Sequence, residues 1–208
     1  MKGWTFLIVG SLIFAGACSS SASRRESKEV AQASPSPTNV SPDGADSLAA
    51  VSVPTSSYTE LSGPPCSQEK ETGMVSSEHD CPGVAGYRLV ITNVDDRASI
   101  TLITPEKKKY DLGFPMICNS GFTSIGQKAE WRVRDQDGRQ VPIALIVRVN
   151  CQSLSGTSKV MSYLSVSKIT ENEVCITDQI PPVRDANVQA RAKADSSASK
   201  PCLKTPGG

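Results

Sequence analysis

Sulfur carries the most legible chemistry in this chain of 208 residues, which holds seven cysteines and one histidine, His79. Six of the cysteines, Cys66, Cys81, Cys118, Cys151, Cys175 and Cys202, are spread between positions 66 and 202 of the chain. No two of them are spaced C-x-x-C, which excludes a thioredoxin-type redox pair, and a single imidazole leaves zinc short of ligands. Structural disulfides are the expected use, and the sequence calls for no metal and no cofactor. His79-Asp80-Cys81 is the first place to look for a Cys/His nucleophile, but an oxidised Cys81 offers no thiolate, and a solvated histidine in a polar loop is the plainer reading. The paired carboxylates Asp95-Asp96 and Asp135/Asp137 flank turns, where Asp bonds the nearby backbone. Calcium at Asp135-Gln136-Asp137-Gly138 would lack the distal Glu of an EF-hand loop. Lys107-Lys108-Lys109 could touch an anionic headgroup or wall polymer, although a solvated hairpin tip accounts for it as well. The glycines of Gly121 to Gly126 lack phosphate-loop spacing and read as loop hinges.

Cys18 stands apart from the other six. It follows Met1-Lys2-Gly3 and an apolar run from Trp4 to Ala17, too short to span a bilayer and suited to a signal-peptide core over 1–17. Ala15-Gly16-Ala17 before it serves ordinary A-x-A cleavage. Ala15-Gly16-Ala17-Cys18 also resembles a bacterial lipobox, with Ala15 in place of the usual Leu. On that reading Cys18 carries the lipid anchor, palmitate among its acyl chains, and the other six cysteines are an even number free to pair. Ser19 after the cysteine favours the outer membrane by resemblance to enteric lipoproteins. The expected location is therefore the bacterial envelope, outer membrane or periplasm, and otherwise the medium.

These residues need elements to position them. Residues 18–57 hold a dozen serines, Pro35, Pro37, Pro42 and Pro54, and no aromatic side chain, a composition that reads as a disordered tether. Residues 58–202 hold seven aromatics and six cysteines and read as one folded domain, with 203–208 as a loose tail. Strands are expected at Tyr87–Thr92, Ser99–Thr104, Tyr110–Phe114, Ala129–Arg134, Val141–Val149, Val160–Ile169 and Val174–Ile176. Asp135 to Arg139 is the clearest hairpin turn. Val141, Ile143, Leu145, Val147 and Val149 form one apolar face, and Ala144 with Ile146 on the other marks a central strand. Pro142 belongs at that strand's start. Asp185 to Ser196 is a helix packing by its alanines, with Val188, Arg191, Ala192 and Asp195 sharing one thin side. The fold class is α+β: an antiparallel sheet of five to seven strands, one C-terminal helix, and disulfide braces.

Six cysteines allow fifteen pairings, and the sequence alone does not choose among them. Geometry prefers Cys118–Cys151 across the open end of the Asp137 hairpin, Cys66–Cys81 around a short loop, and Cys175–Cys202 tying the helix to the last strand. Tyr58-Thr59-Glu60-Leu61, Cys81-Pro82-Gly83-Val84-Ala85-Gly86-Tyr87, Gly121 to Gly126 with Glu130-Trp131-Arg132, and Cys175 with Asp185 to Arg191 and Cys202 resemble a family of small exported bacterial proteins that carries no assigned activity. The resemblance implies the Cys66–Cys81 and Cys175–Cys202 pairings and leaves Cys118 and Cys151 as additions. It implies no substrate, cofactor or catalytic residue.

The net charge of +1 and an aromatic content of 5% argue against a nucleic-acid partner. The expected function is a non-enzymatic envelope lipoprotein, membrane-attached through lipid on Cys18, that binds an envelope protein or polymer. The polar side of the Trp131 strand, Glu130, Arg132 and Arg134, could face that partner. The alternative is an envelope hydrolase using Asp/Glu pairs that converge only in the fold, and a third reading is a purely structural surface protein.

Overall fold

The computed structural model describes residues 52–152 and 159–204, all within the second of the chain's two units, Leu48–Gly208. Cys18, the signal segment 1–17, tether residues 18–51 and tail residues 205–208 lie outside the described residues. In chain order the strands are β1 (Thr55–Glu60), β2 (Lys70–Gly73), β3 (Ser76–Pro82), β4 (Arg88–Val94), β5 (Arg97–Ile103), β6 (Lys109–Asp111), β7 (Phe122–Gln136), β8 (Arg139–Gln152), β9 (Val160–Ile169) and β10 (Val174–Ile180). One α-helix, α1 (Ala186–Asp195), follows them. The mainly antiparallel α+β class is as expected. The strand count is not: ten form among the described residues against the expected five to seven.

The three added strands are β1, β2 and β3. None shows apolar alternation, because ladder pairing with a neighbour, not an apolar face, defines them. β1 pairs with β7 from Thr55↔Val133 to Glu60↔Lys128, so the ordered backbone begins inside the stretch read as tether. β2 is a short, fully exposed edge beside β3, and β3 is a half-buried polar strand whose one fully buried side chain is Cys81.

β7 and β8 form the spine. Asp137 and Gly138 sit at φ 54° and 77°, the paired left-handed conformation of a two-residue turn that matches strand twist. Two register shifts along the ladder leave Cys151 opposite Thr123, as the symmetric hairpin predicts. One shift falls beside Pro142, which is the fourth residue of β8 and not its start; a bulge tolerates the missing donor. The glycine-containing stretch Phe122–Gly126 is strand and not loop.

The sheet order is β10-β9-β8-β7-β5-β4-β3-β2, antiparallel except for one parallel pairing, Arg97↔Thr123, where β5 meets the start of β7. β6 pairs with the far end of β5. Leu89, Ile91, Ile100 and Leu102 of β4–β5 then pack with Trp131, Leu145 and Val147 of β7–β8 and with Ile176 of β10 in the main core. The indole of Trp131 donates from Nε1 to Thr59 Oγ1 at 2.9 Å and lies 5.9 Å from the Tyr87 ring. Gly83 is required there, since a Cβ would meet Trp131 at 2.7 Å.

The reverse face of β8–β10 carries a smaller core of Ala144, Ile146, Leu164, Val166 and Ile180, covered by Ala190 and Ala194 of α1. The buried stripe is therefore Ala186, Ala190 and Ala194. Val188 and Ala192 of the expected side are exposed, because that side is rotated away from the sheet.

Candidate functional site

Two strand edges that do not pair leave a cleft of about 620 Å³. β6 stops after three residues because Gly113, at φ 58°, turns the chain into a 3-10 turn at Phe114–Met116, with Pro115 offering no donor. Across the gap, the β10 ladder shifts between Ile176 and Asp178. Gln179 Nε2 reaches over to donate to the Ile117 carbonyl at 3.4 Å, and the Leu203 amide donates to the Ile176 carbonyl at 2.7 Å, so the C-terminal segment forms part of the wall.

The cleft is chemically mixed. Leu112, Met116, Ile117, Ile176, Pro181 and Leu203 supply apolar surface, and Met116 and Leu203 remain 40% and 48% exposed at its rim. Asp111, Asn119, Tyr163 and Gln179 supply a few polar groups among them. Lys204 adds a cation, and a concavity that combines apolar walls with convergent polar groups is the usual form of a ligand site. Two disulfides stiffen its walls. Cys118–Cys151 lies between the lining residues Ile117 and Asn119, and Cys175–Cys202 ties β10 to the segment after α1. Cys66–Cys81 completes the set at the other end of the domain. All three preferred pairings form, and all six domain cysteines are consumed.

At Glu130 and Arg132 the polar side of the Trp131 strand is not free for a partner, because α1 of the same chain occupies it. Arg132, 7% exposed, donates from Nε and Nη2 to the Asp195 carboxylate at 2.7 and 2.9 Å. It also donates to Ser56 Oγ at 2.6 Å and to the Pro54 carbonyl at 2.7 Å. Beside it Arg191 Nε donates to Glu130 at 2.6 Å, and Arg191 Nη2 to Tyr58 Oη at 3.0 Å. This seam bolts helix, β7 and β1 together. Burial pushes the Glu130 carboxyl up, but hydrogen bonds from Arg191 and Ser56 and the charge of Arg191 outweigh it and hold the group below the ordinary carboxylate range. The hydrogen bond to Glu130 likewise raises the Arg191 guanidinium.

The remaining sequence candidates do not converge on the cleft. His79 is half-buried rather than solvated, with Nε2 2.8 Å from the Leu61 carbonyl, because β3 brings it under the end of β1. Asp95-Asp96 form the β4–β5 turn, both at positive φ, and join Glu69 and Glu71 around an exposed acidic pocket. Asp135 caps the Asp137 turn by accepting from the Gly138 amide. Lys107 to Lys109 lie on the exposed β5–β6 hairpin tip. Glu173, Cys175 and Cys202 bring three donor atoms within 4.8 Å, but both sulfurs belong to a disulfide and offer no thiolate to a metal. The cleft residues escaped the sequence reading because they come from four separate segments. Only the two cysteines flanking them marked the place.

No family model, no curated protein and no solved structure matches the chain. Among the described residues no helix is long and apolar enough to cross a membrane.

Proposed function

We propose that this protein is an exported, lipid-anchored bacterial envelope protein whose disulfide-braced domain is a non-enzymatic binding module. Lipid on Cys18 attaches it to the membrane, the Ser/Pro-rich stretch spaces the domain from the surface, and an envelope protein or polymer is bound at the cleft beside β10. The observation that carries the reading is the pairing of all six domain cysteines, which leaves Cys18 as the one cysteine outside those pairs. Complete pairing belongs to an oxidising compartment. The resemblance to small exported bacterial proteins points the same way.

Radioactive palmitate is expected to label the protein in growing cells and to fail after Cys18→Ala. Thiol titration of the denatured, unreduced domain is expected to find no free sulfhydryl among the six. Label retained by the alanine variant, or reactive thiols in the domain, overturns the reading. For the cleft, Met116→Glu is expected to abolish retention of envelope partners by the immobilised protein without lowering its melting temperature, since Met116 is a rim residue.

A hydrolase is the second reading, and one observation favours it: Glu69, Glu71, Asp95 and Asp96 converge on one concavity. All four are exposed, Asp95 is paired with Arg97, and Glu69 accepts from Ser77. A general acid working near neutrality needs burial to raise its pKa, which this pocket does not provide. Release of soluble fragments from purified envelope, lost in Asp95→Asn/Asp96→Asn, is the outcome that would establish it.

A further inference from the structure

The disulfide Cys175–Cys202 differs from the other two in what it packs against. Cys81 is fully buried in the main core, and Cys66, Cys118 and Cys151 pack on that core. Cys175 and Cys202 belong to neither hydrophobic core, and both are partly exposed. This bond can open without disturbing either cluster, whereas opening the others loosens core packing.

Nor is the bond needed to hold the helix that lies between its two cysteines. Ala190 and Ala194 seat α1 on the reverse-face core, and the Arg191–Glu130 and Arg132–Asp195 pairs bolt it to β7. The chain after the helix is fixed as far as Lys200. Ser197 is buried, the Lys168 ammonium donates to the Lys200 carbonyl at 2.8 Å, and Lys200 Nζ donates to Asp178 at 2.7 Å.

Past Lys200 the footing changes. Pro201 has no amide proton to donate. Among the described residues, the one backbone hydrogen bond of 201–204 runs from the Leu203 amide to the Ile176 carbonyl, at 2.7 Å. Cys202 Sγ lies 2.9 Å from the Glu173 carboxylate, but an oxidised sulfur carries no proton to give it. Residues 201–204 are therefore a short strap, hinged at Lys200–Pro201 and tied to β10 chiefly through sulfur. Its end, Leu203 and Lys204, forms a wall of the cleft.

We propose that Cys175–Cys202 is a redox latch: a dithiol reductant opens it and frees the strap from the β10 edge, while α1 and both cores stay in place. The chemistry is two successive exchanges. A thiolate of the reductant attacks one sulfur of the pair, the S–S bond breaks, and the other cysteine leaves as a thiolate and takes up a proton. The reductant's second thiol then loses its proton and displaces the remaining protein sulfur from the mixed disulfide. The reductant ends as a disulfide, oxidised by two electrons, and Cys175 and Cys202 end as thiols. With the strap released, the Ile176 carbonyl loses its donor and the cleft loses its Leu203–Lys204 wall. The latch rests on the strap's own contacts and stands whether or not Cys18 is lipidated; its effect on partner binding rests on the cleft reading above.

The test exposes the full oxidised protein to dithiothreitol under native conditions, quenches in acid, alkylates, and maps the labelled cysteines by mass spectrometry. Cys175 and Cys202 are expected to be alkylated at least tenfold faster than any of the other four domain cysteines. Amide exchange followed by NMR is expected to rise at least tenfold at Leu203 once this bond is open, while Ala190 and Ala194 exchange as before. Cys175→Ser/Cys202→Ser is expected to show the same pattern without reductant. If that variant does not fold, the order of reduction and the exchange in the parent protein decide. The latch is overturned if another disulfide opens first, if all three open together, or if Leu203 keeps its protection after reduction. It is also overturned if α1 loses protection along with Leu203, since the disulfide would then be a brace of the helix. Failure of the oxidised protein to retain any envelope partner would overturn the cleft reading and leave the exchange results to judge the latch.

Discussion

The two sides of β7 do different work with alternate residues of one strand. Ala129, Trp131 and Val133 point into the main core, where they pack on apolar side chains and the Trp131 indole proton is met by Thr59. Glu130 and Arg132 point the other way, where small alanines of α1 leave room for ion pairs rather than apolar mass. The first side is stabilised by area removed from water and hardly responds to pH or salt. The second depends on charge, and its seam responds to both. The difference also explains why a helix with so thin an apolar stripe docks at all: paired guanidinium–carboxylate contacts supplement two buried methyl groups.

Breaking the apolar side should cost most. Trp131→Ala is expected to lower unfolding stability by about 4 kcal/mol, the usual scale for removing a fully buried aromatic. Urea denaturation without reductant measures it, and a loss below about 1 kcal/mol would mean that the core repacks around the gap.

On the charged side Arg132→Ala should cost about 2 kcal/mol. Breaking a fully buried pair costs about 3–5 kcal/mol, but Asp195 is one-third exposed and recovers part of its hydration. Asp195→Ala in both backgrounds gives the coupling energy, and an additive cycle would show that the two side chains only sit near each other. Because Arg132 also holds the Pro54 carbonyl, the arginine variant alone should free the start of β1, visible as faster amide exchange at Ser56 and Tyr58.

Acid should separate the two sides next. The Glu130 carboxyl titrates below its ordinary value of 4.5 when folded, so its contribution is complete above that value and fades as pH falls through the folded one. A loss of roughly 1 kcal/mol is expected between pH 5 and pH 3, confined to the helix side, and Glu130→Gln should flatten that limb of the curve. The tryptophan environment should stay unchanged over the same range. A pH profile indifferent to Glu130→Gln would remove the seam from the explanation.

The limits of sequence legibility follow the same division. Alternation announced β7 and β8 and even placed Cys151 across from Thr123, because apolar faces and a two-residue turn are local signals. β9 was readable residue for residue, with Leu164 and Val166 alternating with serines. Thr55–Glu60 was not, since a polar strand is defined by the edge it joins. Glu130 and Arg132 looked like a solvent face because a strand's period shows which side is polar and not what covers it. The cleft was hidden for a related reason: Leu112, Ile176 and Leu203 are ordinary apolar residues until three segments meet.

The smallest expected effect tests the helix reading most sharply. Val188 is 65% exposed while Ala190 is fully buried, although valine is the more apolar of the two. Propensity and hydropathy alone would place Val188 against the sheet. The structure places the 186/190/194 stripe there instead, because only methyl-sized side chains let the helix come close enough for Arg191 and Asp195 to reach β7. Val188→Ala should therefore shift stability by no more than about 0.5 kcal/mol, upward if at all, since alanine is the better helix former. Ala190→Val adds fewer atoms than most core substitutions, yet should cost about 1–2 kcal/mol by pushing the helix off the sheet. That loss should shrink when Arg132 is already alanine, because the ion pairs that need the close approach are gone. Equal losses in both backgrounds would show that the alanines and the charges act independently.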